Sequence, residues 1–255
     1  MAYTATKTGT FQETGFRIGR VISKTFDVFF QNIITFTVIA GIIWLPFVIF
    51  SAVEQAGQVP NAGPPTAAQI TQSLVSLAII MVLSPLATAI ILHGAFQSMR
   101  GRPVSLGESV SAGLSRFLPL LGAIFLSALG VMLGMVLLVV PGIILLLMWY
   151  VAIPACVVER TGPVRSLGRS RELTKGYRWR ILAIVLIIGV LSAVGRVLIA
   201  AVGGALGSQW AGVALIVLWQ GLSGGFGGVL GAVIYYYLRV AKEGVDVDQI
   251  AAVFD

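Results

Sequence analysis

Residues 178–206 read RWRILAIVLIIGVLSAVGRVLIAAVGGAL, in which two arginines precede an apolar run from Ile181 to Leu206. A helix needs roughly 20 apolar residues to cross about 30 Å of hydrocarbon, and this run is long enough. Arg196 is its only charged residue. Because short basic segments stay on the cytoplasmic side of a membrane, the arginines before Ile181 also indicate the direction of the crossing. The stretch therefore predicts a membrane-spanning helix that begins inside the cell.

Five further stretches have the same character, so the sequence predicts an all-α polytopic membrane protein with six transmembrane helices. The predicted spans are 33–53, 70–97, 117–140, 142–158, 181–206 and 211–238. We assign them to a single membrane domain over 16–240, with a flexible polar N-terminus at 1–15 and a cytoplasmic tail at 241–255. The first apolar run is too long for the core of a cleavable signal peptide, so we expect it to remain as an anchor.

The bulk composition fits a membrane protein and disfavours other classes. Of 255 residues, 57% are hydrophobic and 11% are charged, whereas a soluble domain has about 25% charged residues. The net charge of +7 comes mainly from basic residues beside the spans. Attraction to anionic lipids accounts for these residues, so we expect no nucleic-acid partner. The chain has one cysteine and one histidine, so we expect no disulfide, no metal centre and no cofactor.

The basic residues alternate between the two sides of the predicted spans. Sixteen of the 17 Lys and Arg residues fall before the first span, between the second and third, between the fourth and fifth, or after the sixth. The other three connections hold none. Short loops rich in Lys and Arg remain cytoplasmic. We therefore expect a multi-pass protein of the inner (plasma) membrane with both termini in the cytoplasm.

Three amphipathic helices are predicted on the cytoplasmic side, each before a pair of spans. In the first, Ile18, Ile22, Thr25, Phe26 and Phe29 share one face, which predicts a helix lying in the membrane interface. The second begins near a capping box formed by Ser105 and Glu108. The third is a basic helix opened by Pro163 and running to Arg180. A helix plus a helical hairpin, three times over, is the simplest architecture, although the third copy is too polar to share the apolar spacing of the others.

Prolines predict two further features within the spans. Pro141-Gly142 divides the apolar stretch 117–158 into a tight outer hairpin, because proline ends one helix and glycine permits the turn. Pro85 removes one hydrogen bond from the second span and should kink it.

Two stretches resemble a known family. The first is Glu159-Arg160-Thr161-Gly162-Pro163 with the run from Ser166 to Arg180, and the second runs from Tyr235 to Asp246. Together they resemble bacterial six-span inner-membrane proteins related to the membrane domain of glycerophosphoryl diester phosphodiesterases. The resemblance implies a membrane domain of uncharacterised function. It does not carry over the hydrolytic activity, because the family's phosphodiesterase domain is absent; that domain needs several histidines and metal-binding carboxylates, and His93 is the only histidine here.

Three polar residues within the spans form a candidate intramembrane site. Arg196 lies roughly 24 Å along the helix from Arg180, and a charge inside a span is a functional hypothesis by default. It could bind an anionic group through its planar fork. Alternatively it reaches the outer headgroups or meets Glu54. Gln220 and Ser223 in the sixth span would line a solute route together with Arg196.

Small residues in the sixth span predict close helix packing. Gly224, Gly227, Gly228 and Gly231 recur at four-residue spacing, which lets another helix approach within the monomer or in a homo-oligomer. A broken helix beside a substrate site is the alternative interpretation. His93 is interpreted as a hydrogen-bonded histidine near the interface, since no other metal ligands have suitable spacing.

The basic segment between the fourth and fifth spans predicts contact with anionic lipids at the cytoplasmic face. The residues concerned are Arg165, Arg169, Arg171, Lys175, Arg178 and Arg180. Glu159 and Glu172 are expected to pair with neighbouring arginines. A cytosolic acidic protein is the alternative partner for these cations.

Neither a nucleophile with its base nor a phosphate loop is recognisable, so we do not expect an enzyme. The leading hypothesis is a non-enzymatic accessory or scaffold protein with lipid or membrane-protein partners in envelope maintenance. The alternative is a transporter or channel for a small solute, such as an anion. The lack of Asp or Glu deep in the spans weakens a proton- or sodium-coupled mechanism.

Overall fold

The computed structural model describes residues 16–57, 66–102, 104 and 106–244, and these form ten helices without a strand. The predicted all-α class is confirmed. The helices are α1 Ile18–Gln31, α2 Ile33–Gly57, α3 Ala67–Met99, α4 Leu106–Ser115, α5 Phe117–Leu137, α6 Val139–Met148, α7 Ala152–Val158, α8 Pro163–Thr174, α9 Arg178–Ala205 and α10 Gln209–Glu243. The Ser105 capping box lies outside the described residues.

Six helical segments are long and apolar enough to cross a membrane, as the sequence predicts. Five of them are α2, α3, α5, α9 and α10, and α6 with α7 forms the other, Val139–Val158. Most of their large apolar side chains are exposed on the outside of the bundle. In a bilayer this surface faces lipid rather than water, so its exposure does not oppose stability.

α1 packs against α10, and this contact determines which face of α1 is buried. The buried residues are Val21, Thr25, Val28 and Phe29. The predicted apolar face included Thr25 and Phe29 but omitted Val21 and Val28. The helix packs on protein along one side, so its buried face is set by α10 as well as by the polarity pattern.

The turn between α5 and α6 lies at Leu138, so its predicted position at Pro141-Gly142 is wrong. Leu138 has an extended backbone (φ −162°, ψ 142°), and Pro141 lies within the first turn of α6. Proline is tolerated there because the first-turn N–H groups have no partner inside the helix. Gly142 serves close packing: a Cβ on it would lie 2.8 Å from the backbone nitrogen of Met135 in α5.

The fourth span is broken at Trp149–Val151, which the sequence analysis did not anticipate. Pro154 accounts for the break, because its ring lacks an N–H and clashes with the carbonyl four residues earlier. The break is stabilised from α8: the hydroxyl of Ser170 donates to the Met148 carbonyl at 2.8 Å, and that of Thr174 approaches it at 3.3 Å. This end of α6 is therefore held by polar side chains from a neighbouring helix.

The basic helix α8 begins with Pro163 at its first position, as predicted, but ends at Thr174 rather than at Arg180. Gly176 follows with φ +89°, a conformation that glycine adopts without steric penalty. This turn separates α8 from α9, so Arg178 and Arg180 belong to the beginning of the fifth span.

Candidate functional site

The turn between α7 and α8 places a carboxylate beside the bundle. Glu159 follows the last residue of α7, and Arg160 after it has φ +50°. Gly162 and Pro163 then start α8 in a new direction. The Glu159 side chain is 19% exposed, so it needs partners within the protein.

Arg169, on α8, supplies the first of these partners. Its Nε donates to both carboxylate oxygens of Glu159, at 2.7 and 2.9 Å, and its Nη2 donates to Glu243 at the end of α10. Burial alone would lower the pKa of Arg169. The hydrogen bonds to Glu159 and Glu243 outweigh burial and raise that pKa above its usual value. The guanidinium therefore stays charged and joins two helices through its fork.

Three residues of α10 complete the arrangement because a four-residue spacing puts them on one face. The hydroxyl of Tyr235 donates to Glu159 at 3.0 Å. Arg239 donates to Glu243 at 2.8 Å, and its guanidinium carbon lies 6.0 Å from the centre of the Tyr235 ring. We call these five residues, Glu159, Arg169, Tyr235, Arg239 and Glu243, the ionic network.

The ionic network balances two carboxylates against two guanidinium groups and ties α7, α8 and α10 together. Half-buried ion pairs stabilise a fold only where each charge is fully paired. Here each carboxylate accepts hydrogen bonds from two different side chains. The arrangement fits a rigid joint between distant parts of the chain better than a site that binds and releases a substrate.

The two stretches that carry the family resemblance meet in this ionic network. Arg169 was predicted as a lipid contact, but in the structure its charge is paired with Glu159 and Glu243. The expected pairing of Glu159 and Glu172 with a nearby arginine is confirmed for both, since Arg169 also lies 3.8 Å from Glu172. Tyr235, Arg239 and Glu243 were missed as site residues. Their four-residue spacing in one of the two resembling stretches was the available signal.

The other predicted lipid contacts lie mostly on the surface. Arg165, Arg171, Lys175 and Arg180 are exposed, and Arg178 is half-buried. The opposite side of α8 is buried through Ser166, Ser170, Leu173 and Thr174. α8 is therefore held firmly on the bundle while its cations project outward.

Of the three polar residues of the candidate intramembrane site, Ser223 alone lines the groove between α1, α9 and α10. Arg196 is exposed on the side of α9 that faces away from the bundle, and Gln220 is half-buried in α10. The hydroxyl of Ser223 donates to the Trp219 carbonyl of its own helix at 2.7 Å. The residues that line this groove include neither Arg196 nor Gln220.

The glycines of α10 divide into two faces. A Cβ on Gly224 would lie 3.7 Å from Ala40 of α2, and one on Gly228 would lie 2.5 Å from Ile91 of α3. Gly227 and Gly231 have nothing within 4 Å of a Cβ. The tightest approach to α2 is at Gly221, which was not among the predicted packing residues: a Cβ there would lie 2.6 Å from the Thr37 carbonyl oxygen.

His93 is buried, and its Nδ1 lies 3.0 Å from the hydroxyl of Ser109. Gln97 donates to Glu108 at 2.8 Å, so both side chains link α3 to α4. Within the described ranges, no three His, Cys, Asp or Glu residues are grouped to hold a metal ion. The histidine therefore fits its interpretation as a hydrogen-bonded residue.

Comparison with known proteins found no matching family model, curated protein or solved structure.

Proposed function

We propose that this integral membrane protein is a non-enzymatic accessory or scaffold protein of the inner membrane, with lipid or protein partners in the plane of the bilayer and a role in envelope maintenance. Both termini are in the cytoplasm, and the chain is related to the six-span membrane domains it resembles. Its charged segments then lie on the cytoplasmic side, where partner proteins can bind them.

One observation carries the proposal: the ionic network and the buried side of α8 hold this helix rigidly while Arg165, Arg171 and Lys175 project from it. A surface of this kind suits binding, because its cations are positioned before a partner arrives and little further ordering is needed. Anionic headgroups and acidic segments of a membrane-protein partner are the groups that such a surface attracts.

The placement of the intramembrane polar residues supports the same proposal over the transporter alternative. A solute route needs polar groups that converge on one path through the membrane. Arg196 instead lies on the outer side of α9, and the Ser223 hydroxyl is bonded within its own helix. Arg196 in that position can reach the headgroups through its long side chain.

Cysteine labelling tests the proposal against the transporter alternative. In a Cys156→Ser background, Arg196→Cys, Gln220→Cys and Ser223→Cys are made singly, and each protein is treated from either side with a membrane-impermeant thiol reagent. Cys156 is buried, so its replacement removes background without removing an exposed group. The accessory role predicts reactivity at position 196 alone, from the outside.

Reactivity at positions 220 and 223 would reveal an aqueous path and would replace the accessory role with transport. Arg165→Cys in the same background serves as the positive control, because Arg165 is exposed on α8.

A further inference from the structure

α1 and α9 run side by side in the same direction, so α1 lies along the fifth span rather than flat in the membrane interface as predicted. Near their first residues, the rings of Phe16 and Tyr177 lie 5.3 Å apart, and Arg180 donates to the Phe16 carbonyl at 2.7 Å. Further along, Phe26 and Ile188 line the same groove. The two helices therefore lie next to each other at both levels, and we call the interface between them, from the basic end of the fifth span into its apolar part, the seam.

The basic end of this seam contains a cationic cavity. It has a volume of 410 Å³ and is lined by Phe16, Arg17, Ile18 and Arg180. Lys242 adds a third cation nearby, 5.8 Å from the centre of the Tyr177 ring. Across the part of the chain that the structure describes, no carboxylate forms an ion pair with any of these three cations.

The first turns of the two helices add to the positive potential. Neither α1 nor α9 has a side-chain hydrogen bond at its N-cap. The N–H groups of an uncapped first turn and the helix dipole both favour a negative charge. An anion in the cavity would therefore meet two arginines and two helix ends together.

The deeper part of the seam is an apolar groove of 190 Å³. Its walls come from α1, α9 and α10, and they are apolar except for two hydroxyl groups. The lining residues are Phe26, Phe29, Ile188, Leu191, Ser192, Trp219, Leu222, Ser223 and Phe226. Leu191 is 56% exposed, so the groove reaches the outer surface of a span, where a lipid can enter it.

The spacing of the cavity and the groove matches one leaflet of a bilayer. Ile188 lies roughly 12 Å along α9 from Arg180, and Ser192 lies roughly 18 Å along it. Half of the hydrocarbon core is about 15 Å thick. A headgroup at Arg180 therefore places its acyl chain at the depth of the groove.

We infer that α1 and α9 together hold one anionic phospholipid, with its phosphate between Arg17 and Arg180 and one acyl chain in the apolar groove. The inference rests on the proposed function and makes one of its partners a specific lipid. A zwitterionic choline lipid fits less well, because its ammonium group would lie beside three cations that pair with no carboxylate among the described residues. The cavity thus favours a negatively charged headgroup, and the groove accommodates one acyl chain.

Retention of lipid by the purified full-length protein tests this inference. The protein is solubilised in detergent with equal amounts of phosphatidylglycerol and phosphatidylcholine of identical chains, and native mass spectrometry counts the lipids that remain bound. We expect one retained phosphatidylglycerol. The double variant Arg17→Gln/Arg180→Gln should lose this preference by about tenfold or more, because each arginine contributes to the attraction.

The matched control is Arg102→Gln/Arg116→Gln, which removes the same charge from two residues that do not line the cavity. It should keep the preference for phosphatidylglycerol. Equal retention of the two lipids by the unaltered protein, or an equal loss in both double variants, would overturn the inference. Inorganic phosphate at millimolar concentration should not displace the lipid, and displacement would mean that the cavity binds a free anion instead.

The groove is tested separately from the cavity. Ser192→Phe fills it, whereas Val194→Phe adds the same ring to the lipid-facing side of α9, where Val194 is exposed. Only Ser192→Phe should weaken the retention of phosphatidylglycerol. The same effect in both variants would overturn the placement of the chain.

A fluorescence measurement on the unaltered protein guards against variants that fail to fold. Trp219 lines the groove, so phosphatidylglycerol brominated on its chain should quench Trp219, measured as the signal absent from a Trp219→Phe variant. Brominated phosphatidylcholine should quench it less at equal concentration, and equal quenching would contradict the inference. Thiol reactivity at positions 220 and 223 would overturn the proposed function alone, whereas a lost lipid preference leaves that function standing.

Discussion

Arg169 contacts three carboxylates, those of Glu159, Glu172 and Glu243. It lies between the turn after α7 and the end of α10, and its side chain is 24% exposed. Because the Glu159 and Glu243 side chains are partly withdrawn from water, removal of the guanidinium would leave both carboxylates short of a partner.

We predict that Arg169→Gln lowers the free energy of unfolding by about 1–3 kcal/mol, less than for a fully buried pair because water still reaches the site. The measurement is thermal unfolding of the detergent-solubilised protein. Arg171→Gln, on the exposed side of α8, is the control and should change stability by less than about 0.5 kcal/mol. Equal effects of the two substitutions would show that the ionic network does not stabilise the fold.

Tyr235→Phe isolates the hydrogen bond to Glu159, because it removes the hydroxyl and keeps the ring. Tyr235 is fully buried and its hydroxyl lies 3.0 Å from the Glu159 carboxylate. We expect a loss of about 1–3 kcal/mol, as for a hydrogen bond to a charged group. Tyr237→Phe, at a half-buried position on the same helix, should have a smaller effect. Both variants are compared in the same unfolding assay. An unchanged free energy of unfolding in Tyr235→Phe would argue against the hydrogen bond to Glu159.

α10 makes its most extensive contact with α2, and small residues on α10 allow the two helices to come close. A Cβ added to Gly221 would lie 2.6 Å from the backbone oxygen of Thr37. This oxygen belongs to α2, and a helix backbone cannot easily move. Overpacking of this kind forces backbone shifts. Gly221, Gly224 and Gly228 thus allow α2 and α3 to pack against one side of α10, whereas no described residue lies within 4 Å of a Cβ on Gly227 on the other side.

We expect Gly221→Ala to lower the free energy of unfolding by about 1–3 kcal/mol through this clash. Gly227→Ala should be neutral or stabilise the helix by up to about 1 kcal/mol, since nothing lies within 4 Å of its Cβ. Thermal unfolding of the two variants side by side measures the difference. Destabilisation by Gly227→Ala instead would indicate that another chain packs on that side.

At the break between α6 and α7, the Met148 carbonyl accepts its side-chain hydrogen bonds from α8. Ser170→Ala removes the closer donor to the Met148 carbonyl, and we predict a loss of about 1 kcal/mol. Ser127→Ala is a suitable control, because the hydroxyl of Ser127 bonds only the Ile124 carbonyl of its own helix. If the two variants unfold at the same temperature, the cap on Met148 contributes nothing to stability.

Across the whole molecule, hydropathy predicts the six spans because each is long and almost free of charge. The pattern does not reveal how the spans end. Pro141 was interpreted as the turn, yet a proline in a first helical turn lacks only an N–H that would be unpaired in any case. The real turn at Leu138 carries no turn-forming residue, so local chemistry could not locate it.

The candidate site was only partly predictable for a different reason. The ionic network joins residues 74 and 76 positions apart in the chain, and no local periodicity connects them. The arginines were visible as a basic segment, but the segment does not tell which of its members faces a carboxylate. Arg165 lies one turn before Arg169 on the same side of α8 and is nevertheless exposed. The position along the helix, next to Glu159 and Glu243, therefore distinguishes Arg169.

The proposed function requires that the basic end of the bundle face the cytoplasm. Single-cysteine labelling of intact cells measures this orientation. In a Cys156→Ser background, Arg165→Cys reports on the end that holds the ionic network, and Leu138→Cys reports on the turn between α5 and α6. Both positions are exposed. An impermeant reagent should label position 138 in intact cells and position 165 only after permeabilisation. The reverse pattern would place the basic segments outside the cell and contradict the account.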